Sequence, residues 1–95
     1  MKESDLIKAI SNYLKTVKDL FYWKEHGGQF GTAGIPDIIV CYRGKFIAFE
    51  VKVGKNKPTV LQEVTIRQIL KAGGWATVVR TVAEVKEIIE ALSKE

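Results

Sequence analysis

The stretch from Ile38 to Val53 leaves this chain few folds. Ile38-Ile39-Val40-Cys41-Tyr42 and Lys45-Phe46-Ile47-Ala48-Phe49-Glu50-Val51-Lys52-Val53 are rich in branched and aromatic residues, and only Arg43-Gly44 separates them. Such runs read as strands, and a two-residue link with Gly at a position tolerant of positive φ closes them into a hairpin. Counting back from the turn, Tyr42 faces Lys45, Cys41 faces Phe46, Ile39 faces Ala48 and Asp37 faces Glu50. Directly opposed residues have Cβ atoms about 5 Å apart on one face. Side chains alternate along a strand, so Lys52 shares the face of Glu50. Two carboxylates held that close repel unless a cation stands between them, and a hard divalent ion such as Mg²⁺ suits oxygen ligands of this kind.

The two strands are nearly continuously apolar, which places them centrally in a sheet covered on both faces. Glu50 and Lys52 break that pattern. Buried charges are costly unless paired or bound to metal, so the break marks a functional position. The register carries this reading, since a longer turn would separate the acids. Pro36-Asp37 also occurs as a plain strand-entry turn, and Glu-x-Lys is common on strands.

Around the hairpin the order is α-β-β-β-α-β-α. A first helix is expected from about Ser4 to Leu20, with Leu6, Ile10, Leu14 and Val17 as its buried stripe. Glu3 lies one turn before Leu6 on that stripe and points to the interior or a cleft at its edge. Its other reading is an acid favoured by the helix N-terminal dipole. Phe21 to Glu25 reads as an aromatic strand whose rings belong to the core rather than to a base-stacking platform. In His26-Gly27-Gly28-Gln29-Phe30-Gly31-Thr32-Ala33-Gly34 the glycines mark a loop where a backbone or a ligand approaches closely. Gly28 and Gly34 are its candidate ligand contacts, and His26 is a polar loop residue able to reach a phosphate. The loop is neither a P-loop nor a dinucleotide fingerprint, because the flanking residues those motifs need are missing.

Lys55 and Lys57, in Gly54-Lys55-Asn56-Lys57-Pro58, are placed to reach phosphates or to be a solvated turn. Thr59-Val60-Leu61-Gln62 has the capping-box pattern and opens a second helix that runs to about Ala72, where Gly73-Gly74 stops it. Gln62 is thus a cap partner that also lies in the first turn after the Glu-x-Lys strand. Trp75 to Arg80 is the last strand. Thr81-Val82-Ala83-Glu84 is a second capping box, opening a helix with Val85, Ile88, Ile89 and Leu92 inward. An antiparallel meander followed by a right-handed strand-helix-strand crossover gives a mixed sheet flanked by helices.

Ninety-five residues make a single domain, 1–95, with a small core. A net charge of +4 is compatible with a phosphate-rich partner without requiring one. The one cysteine, Cys41, allows no internal disulfide and reads as a buried structural thiol in a reducing cytoplasm. No apolar run is long enough to span a bilayer, and Met1 to Asp5 does not begin a signal peptide.

These residues together resemble the PD-(D/E)xK nuclease superfamily, and within it the VRR-NUC domain, over nearly the whole chain. The matching elements are Glu3 on the first helix, Gly34-x-Pro36-Asp37, Glu50-x-Lys52, Gln62 on the following helix, and Gly74 before Val78-Val79-Arg80. The chain departs from the family's Val-Arg-Arg string, having Val79-Arg80-Thr81. The resemblance implies a restriction-endonuclease-like αβββαβ core and metal-dependent phosphodiester hydrolysis of DNA with Mg²⁺ or Mn²⁺. It implies that Asp37 and Glu50 ligate metal, with the Val51 carbonyl, and Glu3 directly or through water. Lys52 would orient or deprotonate the attacking water, and Gln62 would help position it. Gly28, Gly34, Lys55 and Lys57 become candidate DNA contacts. Relatives of this compact type imply a homodimer that cuts branched DNA such as four-way (Holliday) junctions, in DNA repair or recombination, in a bacterial or phage-infected cytoplasm. Three other readings remain open at this point: a nuclease of the same superfamily acting on other DNA, such as a flap nuclease or an exonuclease; a nucleic-acid-binding module without catalysis; and a domain in which Asp37 and Lys52 form a structural ion pair.

Overall fold

Seven elements carry the chain in a computed structural model that describes residues 1–25 and 33–95. They are α1 (Glu3–Leu14), β1 (Leu20–Lys24), β2 (Ile38–Tyr42), β3 (Lys45–Val51), α2 (Val60–Lys71), β4 (Trp75–Val79) and α3 (Val82–Leu92). The order is the expected one, and the sheet runs β1-β2-β3-β4. β1, β2 and β3 form an antiparallel meander, whereas β4 joins β3 in parallel through the α2 crossover. The expected α/β class with a mixed sheet is what forms.

The hairpin has the register counted from the sequence, with Tyr42 opposite Lys45, Cys41 opposite Phe46 and Ile39 opposite Ala48. Arg43 and Gly44 both take positive φ, 51° and 82°, the pattern of a type I′ turn whose twist matches the strands it joins. β3 is shorter than expected and ends at Val51, although the Lys52 N–H still reaches the Val79 carbonyl at 3.1 Å.

One sheet face carries the main core. Ile38, Val40, Tyr42, Ile47, Phe49, Val51 and Val79 meet Leu6, Ile10 and Leu14 of α1 and Val85, Ile89 and Leu92 of α3. The other face holds only a small cluster, Ile39, Ala48 and Ala76, under Ile66 and Ile69 of α2. No residue of α2 is fully buried, so this helix covers only part of its face. Cys41 is therefore exposed, not buried as expected. Its strand neighbours Phe21 and Phe46 lie on the same uncovered area, and the expected aromatic core of β1 is also corrected: Phe21 is 66% and Trp23 44% exposed, and of the three rings only Tyr22 packs against the core.

α1 stops at Leu14 rather than near Leu20. Asp19 takes a φ of 62°, which no helix continues through, yet Val17 and Leu20 still pack against the core from irregular chain. α2 opens with the full capping box: Thr59 Oγ1 accepts the Gln62 N–H at 3.2 Å, and Gln62 Oε1 accepts the Thr59 N–H at 2.8 Å. It closes where Gly73, at φ 98°, and Gly74 return N–H groups to Leu70 and Ile69. The second box is only half formed. Thr81 caps Glu84, but the Glu84 carboxylate reaches past Thr81 to the Arg80 N–H at 2.9 Å. Among the described residues no helix is long and apolar enough to cross a membrane.

Candidate active site

Asp37 stands immediately before β2, and its backbone carbonyl accepts the Glu25 N–H at 2.8 Å, continuing the β1–β2 ladder. Ile38 pairs with Phe49, so the next position along brings Asp37 opposite Glu50 as counted from the sequence. The Asp37 side chain is fixed by β3 itself: Oδ2 accepts the Val51 N–H at 2.8 Å. A strand residue directs its N–H and C=O to the same side, so the Val51 carbonyl also points toward Asp37. Lys52, just past the strand, holds its Nζ 3.7 Å from Glu50 Oε2, with both side chains largely withdrawn from water.

Glu50 is the unusual member. It is 2% exposed, and its Oε1 has no hydrogen-bond partner. Its pKa is pushed up to about 8, first by burial, then by the adjacent Asp37 carboxyl, with Lys52 pulling it down and the charge of Glu3 adding a rise. A buried carboxylate beside a second carboxylate, with one oxygen unsatisfied and a single ammonium for compensation, is a poor structural arrangement. It fits a divalent cation, which accepts both carboxylates and the orphaned oxygen. Asp37, Glu50 and the Val51 carbonyl are the groups that would hold it. Glu3, on α1, is felt at Glu50 through its charge, and among the described residues no cluster of three or more His, Cys, Asp or Glu forms.

The other expected positions sort differently. Gln62 is engaged through Oε1 in the Thr59 cap. Lys55 and Lys57 are exposed on the loop between β3 and α2. Gly28 and His26 lie outside the described residues. Gly34 has a packing reason of its own: at φ 85° a Cβ would fall 2.7 Å from Leu61 Cγ and 3.0 Å from Thr65 Oγ1, so α2 can seat against the loop only if this residue is glycine. Glu25 was not singled out from the sequence. It continues the cross-strand row of Asp37 and Glu50, with Oε1 accepting the Trp23 indole N–H at 2.8 Å. The signal for it is the register of β1, which propensity alone does not supply.

No family model matches the sequence, and no curated protein does. Solved structures do. One described as a VRR_NUC domain is 26% identical with a TM-score of 0.75, over 93% of this chain and 94% of that one. A second, described as a VRR_NUC domain protein, has the same fold at 21% identity, with a TM-score of 0.72 over 95% of this chain and 86% of its own. The PD-(D/E)xK order Asp37, Glu50, Lys52 lies on this fold at one end of the β2–β3 hairpin. In fold and in the order of its site residues, the chain is similar to VRR_NUC domains, which are nuclease-family domains.

Proposed function

We propose that this chain is a metal-dependent, structure-selective DNA endonuclease that hydrolyses phosphodiester bonds, with branched DNA such as four-way junctions as substrate, Mg²⁺ or Mn²⁺ as cofactor and a homodimer as the working unit. The observation that carries this reading is the buried Glu50 carboxylate, with an unsatisfied Oε1, beside Asp37 and 3.7 Å from Lys52. A divalent cation bound there supplies positive charge for the scissile phosphate and acidifies water.

The chain's own residues do the rest. Val51 locks Asp37 in one orientation through its N–H. Lys52 brings an ammonium that is already desolvated and in place, so it stabilises developing negative charge without reorganisation, and it orients or deprotonates the attacking water. Gln62, in the first turn of α2, is assigned to positioning. Glu3 tunes the charge of the site from α1. The Phe21, Trp23 and Phe46 side chains left open on the α2 face are apolar surface that a second copy would cover, which supports the homodimer.

The test is to incubate the protein and its Asp37→Ala variant with labelled four-way-junction, flap, linear duplex and single-stranded DNA, in Mg²⁺ or EDTA. Mg²⁺-dependent cutting of the branched substrates, lost in the variant, is the expected result. Binding without cutting of any substrate would overturn the catalytic reading in favour of a binding module.

A further inference from the structure

A second groove lies between α1 and the end of β1, outside the carboxylate site. It encloses about 430 Å³ and is lined by Ser4, Ile7, Lys8, Ser11, Asn12, Lys15, Lys24 and Glu25. The helical members recur at three- and four-residue spacing, so they form one stripe of α1 beside the buried Leu6, Ile10 and Leu14 stripe. Lys24 comes from the strand. It pairs with Ile38, whose side chain faces α1, so Lys24 is directed to the same side.

Two observations set this groove apart from ordinary surface. Three lysines, Lys8, Lys15 and Lys24, line it, and among the described residues none is ion-paired with a carboxylate. Beneath them Ser11 is 3% exposed, and its Oγ has no hydrogen-bond partner. A buried hydroxyl left unsatisfied costs free energy, and clustered cations repel each other. An anion with several acceptor oxygens answers both: it takes the Ser11 O–H as donor and offsets part of the repulsion among the lysines. Glu25 is the single carboxylate of the lining, and one of its oxygens is committed to the Trp23 indole.

The position selects which anion. Glu25, at one end of the groove, hydrogen-bonds through its N–H to Asp37. Ser4 follows Glu3, whose charge is felt at Glu50. The groove thus leads away from the carboxylate site along α1. We propose that it is a second nucleic-acid contact, seating a backbone phosphate of the substrate strand on Lys8, Lys15, Lys24 and the Ser11 hydroxyl, away from the phosphate that is cut. This rests on the nuclease reading for the identity of the ligand, while the groove itself rests on its own residues.

The experiment measures binding of fluorescein-labelled duplex DNA in EDTA by anisotropy, over a salt series, for the unaltered chain, Lys8→Gln/Lys15→Gln, Ser11→Ala, and Lys86→Gln as a control. Lys86 sits over the Tyr13 ring, away from the groove lining. The double variant is expected to bind about tenfold more weakly, with a log–log salt slope smaller by about one, for the one phosphate that the groove seats. Ser11→Ala is expected to weaken binding several-fold while leaving the melting temperature unchanged or higher. A purely structural serine would change stability alone. Lys86→Gln is expected to bind like the unaltered chain. Wild-type affinity and slope in both groove variants would overturn the proposal. So would a chain that binds no DNA but gains melting temperature from inorganic phosphate through the same lysines, which would make the groove a small-anion site. Cleavage in Mg²⁺ is scored separately. A chain that cuts DNA with an indifferent groove sinks only this inference, and one that binds through the groove without ever cutting sinks only the nuclease reading.

Discussion

Asp37 Oδ2 accepts the backbone N–H of Val51 at 2.8 Å, so one of the two site acids is held by the strand that carries the other. This makes the carboxylate pair a property of the hairpin rather than of two flexible side chains. Preorganisation of this kind is where most of the electrostatic contribution to catalysis lies.

Removing a single charged member should therefore abolish chemistry without dismantling the sheet. Asp37→Ala and Lys52→Ala are each expected to lower the Mg²⁺-dependent cleavage rate by about 10²–10³-fold or more. Far-ultraviolet circular dichroism should remain that of the parent. Equal activity in both variants would remove the basis of the proposed function, and unfolding of both would favour a structural role for the charged cluster, in which Lys52 pairs with Glu50 and not with Asp37.

The raised pKa of Glu50 gives a signed pH effect. Its folded value is about 8 against an ordinary 4.5, so between these values the folded chain binds more protons than the unfolded chain. Without metal, stability should thus fall as pH rises across that window, and Glu50→Gln should flatten the dependence. A divalent ion competes with the proton for the same carboxyl, so the melting-temperature gain from Mg²⁺ should be larger at pH 8 than at pH 6. Thermal melts in EDTA and in Mg²⁺ at the two pH values test both statements.

Gly34→Ala should destabilise the chain by about 1–3 kcal/mol, combining a disfavoured positive φ with overlap against Leu61. Shortening Leu61 in the same chain removes the overlap and leaves the backbone cost. Urea midpoints of the two single variants and the double variant should therefore show a favourable coupling between the sites.

Thr59→Ala and Gln62→Ala each break the capping box and should cost about 1 kcal/mol. If Gln62 also positions the reacting groups, only Gln62→Ala lowers the cleavage rate beyond what its stability loss explains. Matched losses of rate in the two variants would assign Gln62 to the cap alone.

Much of this was legible in the amino-acid sequence because the controlling interactions are local. Arg43-Gly44 sets the register, and the register puts Asp37 opposite Glu50. Thr59 with Gln62, and Gly73 with Gly74, mark the ends of α2 within a few residues. What escaped depends on how elements dock. Val17 and Leu20 keep apolar spacing after α1 has ended, so periodicity overran the helix. Cys41, Phe21 and Trp23 look like core residues in one dimension, but α2 covers only part of their face. Glu84 passes over Thr81 to reach Arg80, a choice of partner that the capping pattern does not encode. Ser11 carries no signal in a helical stripe until the fold brings Lys24 to the same groove.

The Arg43-Gly44 turn also bears on how such a chain tolerates inherited change. Because the turn alone brings Asp37 to Glu50, the acids and Lys52 travel together in the stretch 37–52 as one heritable cassette. An insertion at the turn that slipped the strands by one residue would send one acid to the opposite face and break up the pair in a single event. The same insertion among the exposed residues Gly54 to Lys57 would pass almost unnoticed. Lineages of this domain should accordingly vary in length after Val53 and hardly at all between Tyr42 and Lys45.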